Sequence, residues 1–217
     1  MPIQQVVQKH EPYWCWYSAN RWNRKKQEFY QKQIATLEST PTISVILPVY
    51  NTNPIFLNEA ILSFCGQVYP HRELIIVNDG STNKETLEVL HRHKNTNLVK
   101  LITQAENQGI SETSNFGVSA ASGSYVCFLD HDDLLELSAL AEVALAINQN
   151  PQADLLYSDD DKMTATGERF FPQFKTTWNP ELLMSFMYVG HLLTIKRELF
   201  LQSGGFRKEF DGDYVFF

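Results

Sequence analysis

The stretch Ser124-Tyr-Val-Cys-Phe-Leu-Asp-His-Asp-Asp-Leu-Leu135 decides the expected fold, because a run of apolar residues ends directly in a cluster of acids. Residues 126–129 predict a strand buried on both faces, which is typical of a parallel sheet between helices. In such sheets, ligands bind beyond the carboxyl ends of the strands. The carboxylates of Asp130, Asp132 and Asp133 repel one another unless a cation neutralises them, and their hard oxygens suit Mg²⁺ or Mn²⁺. The stretch therefore predicts a divalent metal site at the carboxyl edge of an α/β sheet.

The same acids have a second interpretation as the start of a helix. Residues 136–148 are rich in Ala and Leu and predict a strong helix. Asp132 or Asp133 would then accept hydrogen bonds from the free amides of its first turn. This stretch alone leaves both interpretations open.

Three earlier apolar runs extend the sheet toward the amino terminus. Residues 43–49 predict the first strand, and residues 73–78 predict a second strand that ends in Asp79. Residues 98–102 predict a third strand, followed by a polar turn that contains Asn107. Four successive strand and helix units are typical of a mostly parallel, Rossmann-like sheet. Because no Gly-x-Gly-x-x-Gly follows the first strand, a dinucleotide oxidoreductase is not expected.

The length, net charge and cysteine spacing of the chain limit the classes of function that are expected. A chain of 217 residues is long enough for one sizeable domain, and its net charge of -7 argues against a general nucleic-acid binder. The three cysteines are far apart without metal-ligand spacing, which favours a reducing cytoplasm. No window has the length of a membrane span, and no signal pattern opens the chain. We expect a cytoplasmic protein, at most peripheral on the cytoplasmic face of a membrane.

Residues 1–40 predict an amino-terminal arm ahead of a domain over residues 41–217. The arm carries an aromatic cluster and a basic run from Arg21 to Lys26. Its aromatic side chains would dock on the domain or lie at a membrane interface, and they are also a candidate surface for a homodimer.

In their order along the chain, several motifs resemble those of the inverting family-two glycosyltransferases of the GT-A fold, over roughly residues 41–213. The motifs are Ser44-Val-Ile-Leu-Pro-Val-Tyr-Asn51, Glu73-Leu-Ile-Ile-Val-Asn-Asp-Gly-Ser81, Asn107-Gln-Gly109 and Phe128-Leu-Asp-His-Asp-Asp133. Three later motifs resemble a bacterial subgroup that builds surface polysaccharide: Tyr157-Ser-Asp-Asp-Asp-Lys162, Trp178-Asn-Pro-Glu-Leu-Leu183 and Gly204-Gly-Phe206. The resemblance implies a nucleoside-diphosphate sugar as donor, and a glycan or lipid-linked acceptor.

The resemblance also implies roles for the acids. Asp79 would hydrogen-bond the base, with Asn107 lining the nucleotide or forming a plain turn. Asp130 would contact the ribose or the metal shell, and Asp132 would ligate Mn²⁺ or Mg²⁺. Two interpretations remain for Asp133: it supports the metal site without binding the ion, or it caps the following helix.

Three further features near the expected site each have two interpretations. Asp159, Asp160 and Asp161 follow the strand predicted over residues 153–157 and would contact the donor sugar or acceptor, or form a solvated acidic turn. His191 opens a strand predicted over residues 190–195, where it would face the acceptor or be structural. Trp178 would stack on a sugar or, more commonly for a Trp beside Asn-Pro, pack in a corner.

A general base must take the proton of the acceptor hydroxyl in an inverting displacement. The resemblance implies Asp213 for this role, with Asp211 as the fallback, in a motif that is two residues shorter than the typical form. The domain is therefore expected to be incomplete at its carboxyl end. That expectation gives an alternative function, a nucleotide-sugar-binding remnant without turnover. A metal-dependent phosphohydrolase is a more distant alternative.

Overall fold

A six-stranded sheet organises the part of the chain that this computed structural model describes, residues 11–210. The strands are β1 (Ile43–Val49), β2 (Arg72–Asn78), β3 (Val99–Thr103), β4 (Tyr125–Phe128), β5 (Leu155–Tyr157), β6 (Asp160–Met163), β7 (Arg169–Gln173) and β8 (Leu193–Lys196). The helices are α1 (Glu11–Ala19), α2 (Arg24–Ala35), α3 (Pro54–Cys65), α4 (Lys84–His93), α5 (Ile110–Ala120), α6 (Ala139–Gln149), α7 (Pro180–Ser185) and α8 (Arg197–Gln202), with a 3-10 turn at Lys208–Phe210.

The order of strands in the large sheet is β3-β2-β1-β4-β8-β5, and β6 and β7 form a separate hairpin. Strands β3, β2, β1 and β4 are parallel, whereas β8 is antiparallel to both β4 and β5. The mostly parallel sheet predicted from the sequence is therefore confirmed. Because β5 runs in the same direction as β4, the ends of β1, β2, β4 and β5 meet the beginning of β8 at one edge.

Helices cover both faces of this sheet and produce two apolar cores. Every residue of β1 is buried. Val45 and Leu47 belong to the core that also contains buried side chains of α3, α4 and α6, and Ile46 belongs to the core that contains side chains of α5 and α8. The two-sided burial explains why the strand is apolar on both faces, as parallel strands between helical layers require.

The described part of the arm docks on the domain. Tyr30 is 9% exposed, and its hydroxyl donates to the carboxylate of Glu142 in α6. Trp22 stacks on the Tyr30 ring with their centroids 5.8 Å apart. Farther along, the amide of Ser39 donates to Asn148 Oδ1 at 2.9 Å. Across residues 11–210, no helix is both long and apolar enough to cross a membrane.

Helix α6 begins at Ala139, which corrects the predicted start at Glu136. The segment ahead of it is held against the end of α3 by side chains rather than by helical bonds. Gln67 Nε2 donates to the Glu136 carbonyl at 2.7 Å, and Gln67 Oε1 accepts the Leu140 amide at 3.0 Å. Since Ser138 is the residue before the helix, the interpretation of Asp132 or Asp133 as its cap is wrong.

At the amino edge of the sheet, the Glu73 carboxylate joins β1, β2 and the turn before β4. Its Oε1 accepts from Ser44 Oγ at 2.6 Å, from the Ser122 amide at 2.6 Å and from the Gly123 amide at 3.2 Å. Burial opposes ionisation, but these hydrogen bonds from the two serines and Gly123 outweigh it and lower the pKa of Glu73.

Glu73→Gln is expected to lower the free energy of unfolding by about 1–2 kcal/mol at neutral pH, because charge-assisted bonds are lost at a partly solvated site. The folded-state pKa lies below the unfolded value of about 4.3, so this contribution is present above the unfolded pKa. It disappears as the pH falls through the folded pKa. Urea unfolding at neutral pH and near pH 3 measures both effects.

The matched control is Glu88→Gln, on the exposed face of α4, which should unfold like the unsubstituted chain at both pH values. An equal loss in the two variants, or a loss at Glu73 that is the same at both pH values, would contradict the role assigned to this carboxylate.

Candidate active site

Asn51 joins the loops that follow β1 and β2. Its backbone takes the left-handed conformation, with φ of 47°. Its amide donates to Ser81 Oγ at 3.0 Å, and its Oδ1 accepts the amides of Thr82 and Asn83, each at 2.8 Å. The carboxyl ends of two neighbouring strands are thus fixed to each other.

Asp79 fixes a third loop to this edge. The residue is 3% exposed, and its two carboxylate oxygens accept the amides of Gln108 at 2.7 Å and Gly109 at 3.1 Å. The adjacent Gly80 has φ of +69°, and a Cβ there would lie 2.9 Å from the carbonyl carbon of Glu106. Asn107 is exposed in the same turn. Asp79 therefore holds the loop that carries Asn107 in place. This structural role was not predicted from the sequence, which assigned Asp79 only a contact with the base.

Asp130, Asp133 and His191 come together where β4 ends and β8 begins. One potential ligand atom from each lies within 4.8 Å of the others. His191 Nε2 is 3.4 Å from Asp130 Oδ2 and 3.6 Å from Asp133 Oδ2. The three side chains are partly exposed, so an ion has access to them from solvent. Two carboxylates and an imidazole form a donor set that a divalent cation fits.

Asp132 lies outside this group. Its side chain is 58% exposed, and its Oδ1 is 3.4 Å from Nδ1 of the neighbouring His131. The structure therefore brings two of the three predicted metal-binding acids together with a histidine, and it leaves the third at the surface of the same loop.

The surroundings of Asp133 disfavour its charged form. Burial raises the pKa of Asp133, and the negative charges of Asp130, Asp132 and Asp160 raise it further, while His191 acts in the opposite direction. A raised carboxyl pKa means that the charged form is destabilised by its surroundings. A divalent ion would relieve that repulsion directly.

His191 reaches the acids because β8 is antiparallel to β4. The beginning of an antiparallel strand lies at the same edge as the end of its parallel neighbours. The predicted strand over residues 190–195 begins only at Leu193, so His191 lies in the preceding loop rather than in the strand. In the sequence, the signals for His191 were its position after Gly190 and at the start of the predicted strand.

The acids that follow β5 are all paired. Asp159 Oδ1 accepts the Lys175 amide at 2.7 Å, and Asp160 Oδ2 lies 3.0 Å from Lys175 Nζ. Asp161 accepts from Arg169 Nη1 at 2.8 Å and from the hydroxyl of Tyr13 in α1. Asp160 and Asp161 are therefore paired with cations, and the interpretation as a solvated turn is wrong for them, whereas Asp159 remains exposed.

The remaining expectations concern Trp178 and the two predicted catalytic acids. Trp178 is 56% exposed, so the expected packing in a corner is wrong, and its indole remains accessible to solvent. The predicted catalytic residues Asp211 and Asp213 lie outside the described residues.

The mostly parallel sheet, in the order β3-β2-β1-β4-β8-β5 with helices on both faces, has the GT-A fold. The chain belongs to glycosyl transferase family 2, whose family model matches residues 44–203. That match covers most of the chain and includes every residue of the group formed by Asp130, Asp133 and His191.

Among curated relatives, the O-antigen biosynthesis protein RfbC of Myxococcus xanthus is 38% identical over 183 residues, which are 84% of this chain and 14% of RfbC. Among solved structures, residues 1–349 of S. aureus TarS in complex with UDP give a TM-score of 0.65 at 23% identity, covering 80% of this chain and 52% of that one. The mannosyltransferase PcManGT from Pyrobaculum calidifontis, in complex with GDP-Man and Mn²⁺, gives a TM-score of 0.58 at 20% identity, covering 82% and 54%. The two solved structures establish the fold, and the chain spans only about half of each of them.

Proposed function

We propose that the chain binds a nucleoside-diphosphate sugar together with a divalent cation and transfers the sugar, with inversion, to a polysaccharide or lipid-linked acceptor. The group formed by Asp130, Asp133 and His191 at the carboxyl edge carries this proposal. The complexes of the TarS fragment with UDP and of PcManGT with GDP-Man and Mn²⁺ support it. RfbC, named for O-antigen biosynthesis, supports a polysaccharide acceptor.

In this proposal, Asp130, Asp133 and His191 hold the cation, and Asp132 borders it. Carboxylate oxygens suit both Mg²⁺ and Mn²⁺, but an imidazole nitrogen is a softer ligand than Mg²⁺ prefers, so we propose Mn²⁺. When bound, the ion would stabilise the negative charge that develops on the leaving diphosphate.

The neighbouring loops would bind the nucleoside. Asp79 lies at this edge and is proposed to hydrogen-bond the base through the small part of its carboxylate that stays accessible beside the amides of Gln108 and Gly109. Asn107 is exposed beside it and would line the nucleotide. Because the Asp79 loop is fixed before any ligand arrives, little ordering of this loop is needed on binding.

The remaining step is removal of the proton from the acceptor hydroxyl. We propose Asp213 for this role, with Asp211 as the alternative. A carboxylate within hydrogen-bond reach of the hydroxyl would accept its proton as the new glycosidic bond forms.

Calorimetric titration with UDP, GDP and dTDP, each with and without Mn²⁺, tests the donor site. We expect one of the three to bind, and to bind much more tightly when Mn²⁺ is present. No binding of any nucleotide under either condition would overturn the proposed function.

A further inference from the structure

Lys175 is an almost fully buried cation beside the metal-binding group. Its side chain is only 5% exposed, and a charge at that burial requires partners. Its Nζ lies 3.0 Å from Asp160 Oδ2 and donates to the carbonyls of Val189, at 2.7 Å, and His191. These contacts use the three donor hydrogens of the ammonium group, so Lys175 has none left for a substrate.

The two carbonyls belong to the loop that delivers His191 to the site. Between them, Gly190 takes the left-handed conformation with φ of +44°, and a Cβ there would lie 3.6 Å from both Lys175 Nζ and Asp160 Oδ2. The loop thus curves closely around the ammonium group. It precedes β8, so no sheet hydrogen bonds fix it at this point.

Lys175 is itself held at both ends by the acids that follow β5. Asp159 accepts its backbone amide at 2.7 Å, and Asp160 pairs with its side chain. On the far side of His191, the Leu192 amide donates to Ser158 Oγ at 3.0 Å. Residues 158–160 therefore fix the loop around His191 from two sides, directly through Ser158 and indirectly through Lys175.

We propose that Lys175 is a positioning residue that sets His191 at the correct distance from Asp130 and Asp133 for metal binding. This inference rests on the proposed function, because it assigns a role in the same cation site. Loss of the ammonium group would release the carbonyls of Val189 and His191, so the loop would no longer hold His191 beside Asp130 and Asp133. Residues that orient a metal ligand typically contribute about 10–100-fold to metal affinity.

The test is Mn²⁺ affinity, measured by the electron paramagnetic resonance signal of free Mn²⁺ in the presence of the nucleoside diphosphate that binds. Lys175→Met is expected to weaken Mn²⁺ binding by about 10–100-fold. The matched control is Lys196→Met at the other end of β8, where Lys196 Nζ pairs with Asp154 Oδ1 at 2.8 Å on the opposite edge of the sheet. This control should bind Mn²⁺ like the unsubstituted chain.

A double-mutant cycle with His191→Gln separates positioning from general destabilisation. If Lys175 acts through His191, Lys175→Met has little further effect once His191 is replaced, because the two changes remove the same interaction. Unchanged Mn²⁺ affinity in Lys175→Met, or losses that add in the double variant, would overturn the inference alone. Absence of Mn²⁺ binding by the unsubstituted chain would overturn the proposed metal site and the inference with it.

Discussion

Asp130→Asn and Asp133→Asn are each expected to weaken Mn²⁺-dependent binding of the nucleoside diphosphate by at least about 100-fold, more than the loss of a supporting contact produces. Each substitution removes one anionic ligand from a group whose ligand atoms lie within 4.8 Å of one another. The amide that replaces it is neutral and binds a hard cation weakly. Calorimetric titration in the presence of Mn²⁺ measures the change.

Asp132→Asn is the matched control, because it removes the same charge from the same loop at a side chain that is 58% exposed and outside the group. We expect this variant to lose less than about 10-fold in Mn²⁺-dependent affinity for the nucleoside diphosphate, because solvent and salt screen the charge of an exposed side chain. A loss at Asp132 as large as that at Asp130 would show that Asp132 is a ligand, as the Asp-x-Asp resemblance implies. Unchanged affinity in Asp130→Asn and Asp133→Asn would reject the metal site.

Asp213→Asn is expected to lower turnover of the nucleotide sugar by roughly 10²–10⁴-fold, the usual contribution of a general base. The affinity for the nucleoside diphosphate should remain, because the proton is taken from the acceptor and not from the donor. The measurement is release of nucleoside diphosphate from UDP-GlcNAc, UDP-glucose and GDP-mannose with water as the acceptor, alongside calorimetry.

Asp211→Asn is the control for this experiment, since it removes an acid two residues away from the same motif. Turnover should fall much less in that variant. Equal turnover in Asp213→Asn and the unsubstituted chain would remove Asp213 from the general-base role, and a larger loss at Asp211 would transfer the role to Asp211.

The large sheet was predictable because its parallel strands are predominantly apolar runs followed by polar residues. Burial on both faces demands that pattern, as in β1, where every residue is buried. The hairpin formed by β6 and β7 was not predicted. Its strands carry charged residues and are partly exposed, and a side-chain pair between Asp161 and Arg169 links them. Hydrophobic periodicity does not predict a contact between charged side chains. The glycine at position 167 was a local sign of a turn, and in the structure it has φ of +84°.

The candidate site was predictable only where it follows a strand of the parallel sheet. Asp79 and Asp130 lie at the ends of β2 and β4, and strand direction alone places them at one edge. The choice between Asp132 and Asp133 depends on how the loop turns after Asp130, which the spacing of the acids does not determine. The roles of His191 and Lys175 depend on an antiparallel strand and on contacts between residues distant in sequence.

Pulsed electron paramagnetic resonance of Mn²⁺ bound with the nucleoside diphosphate tests the central proposal most directly, because it detects nitrogen nuclei that coordinate the ion. We expect a ¹⁴N coupling in the unsubstituted chain that is absent in His191→Gln. That result would place His191 on a cation that also binds the nucleotide. No nitrogen coupling in the unsubstituted chain, or the same coupling in His191→Gln, would contradict the site formed by Asp130, Asp133 and His191.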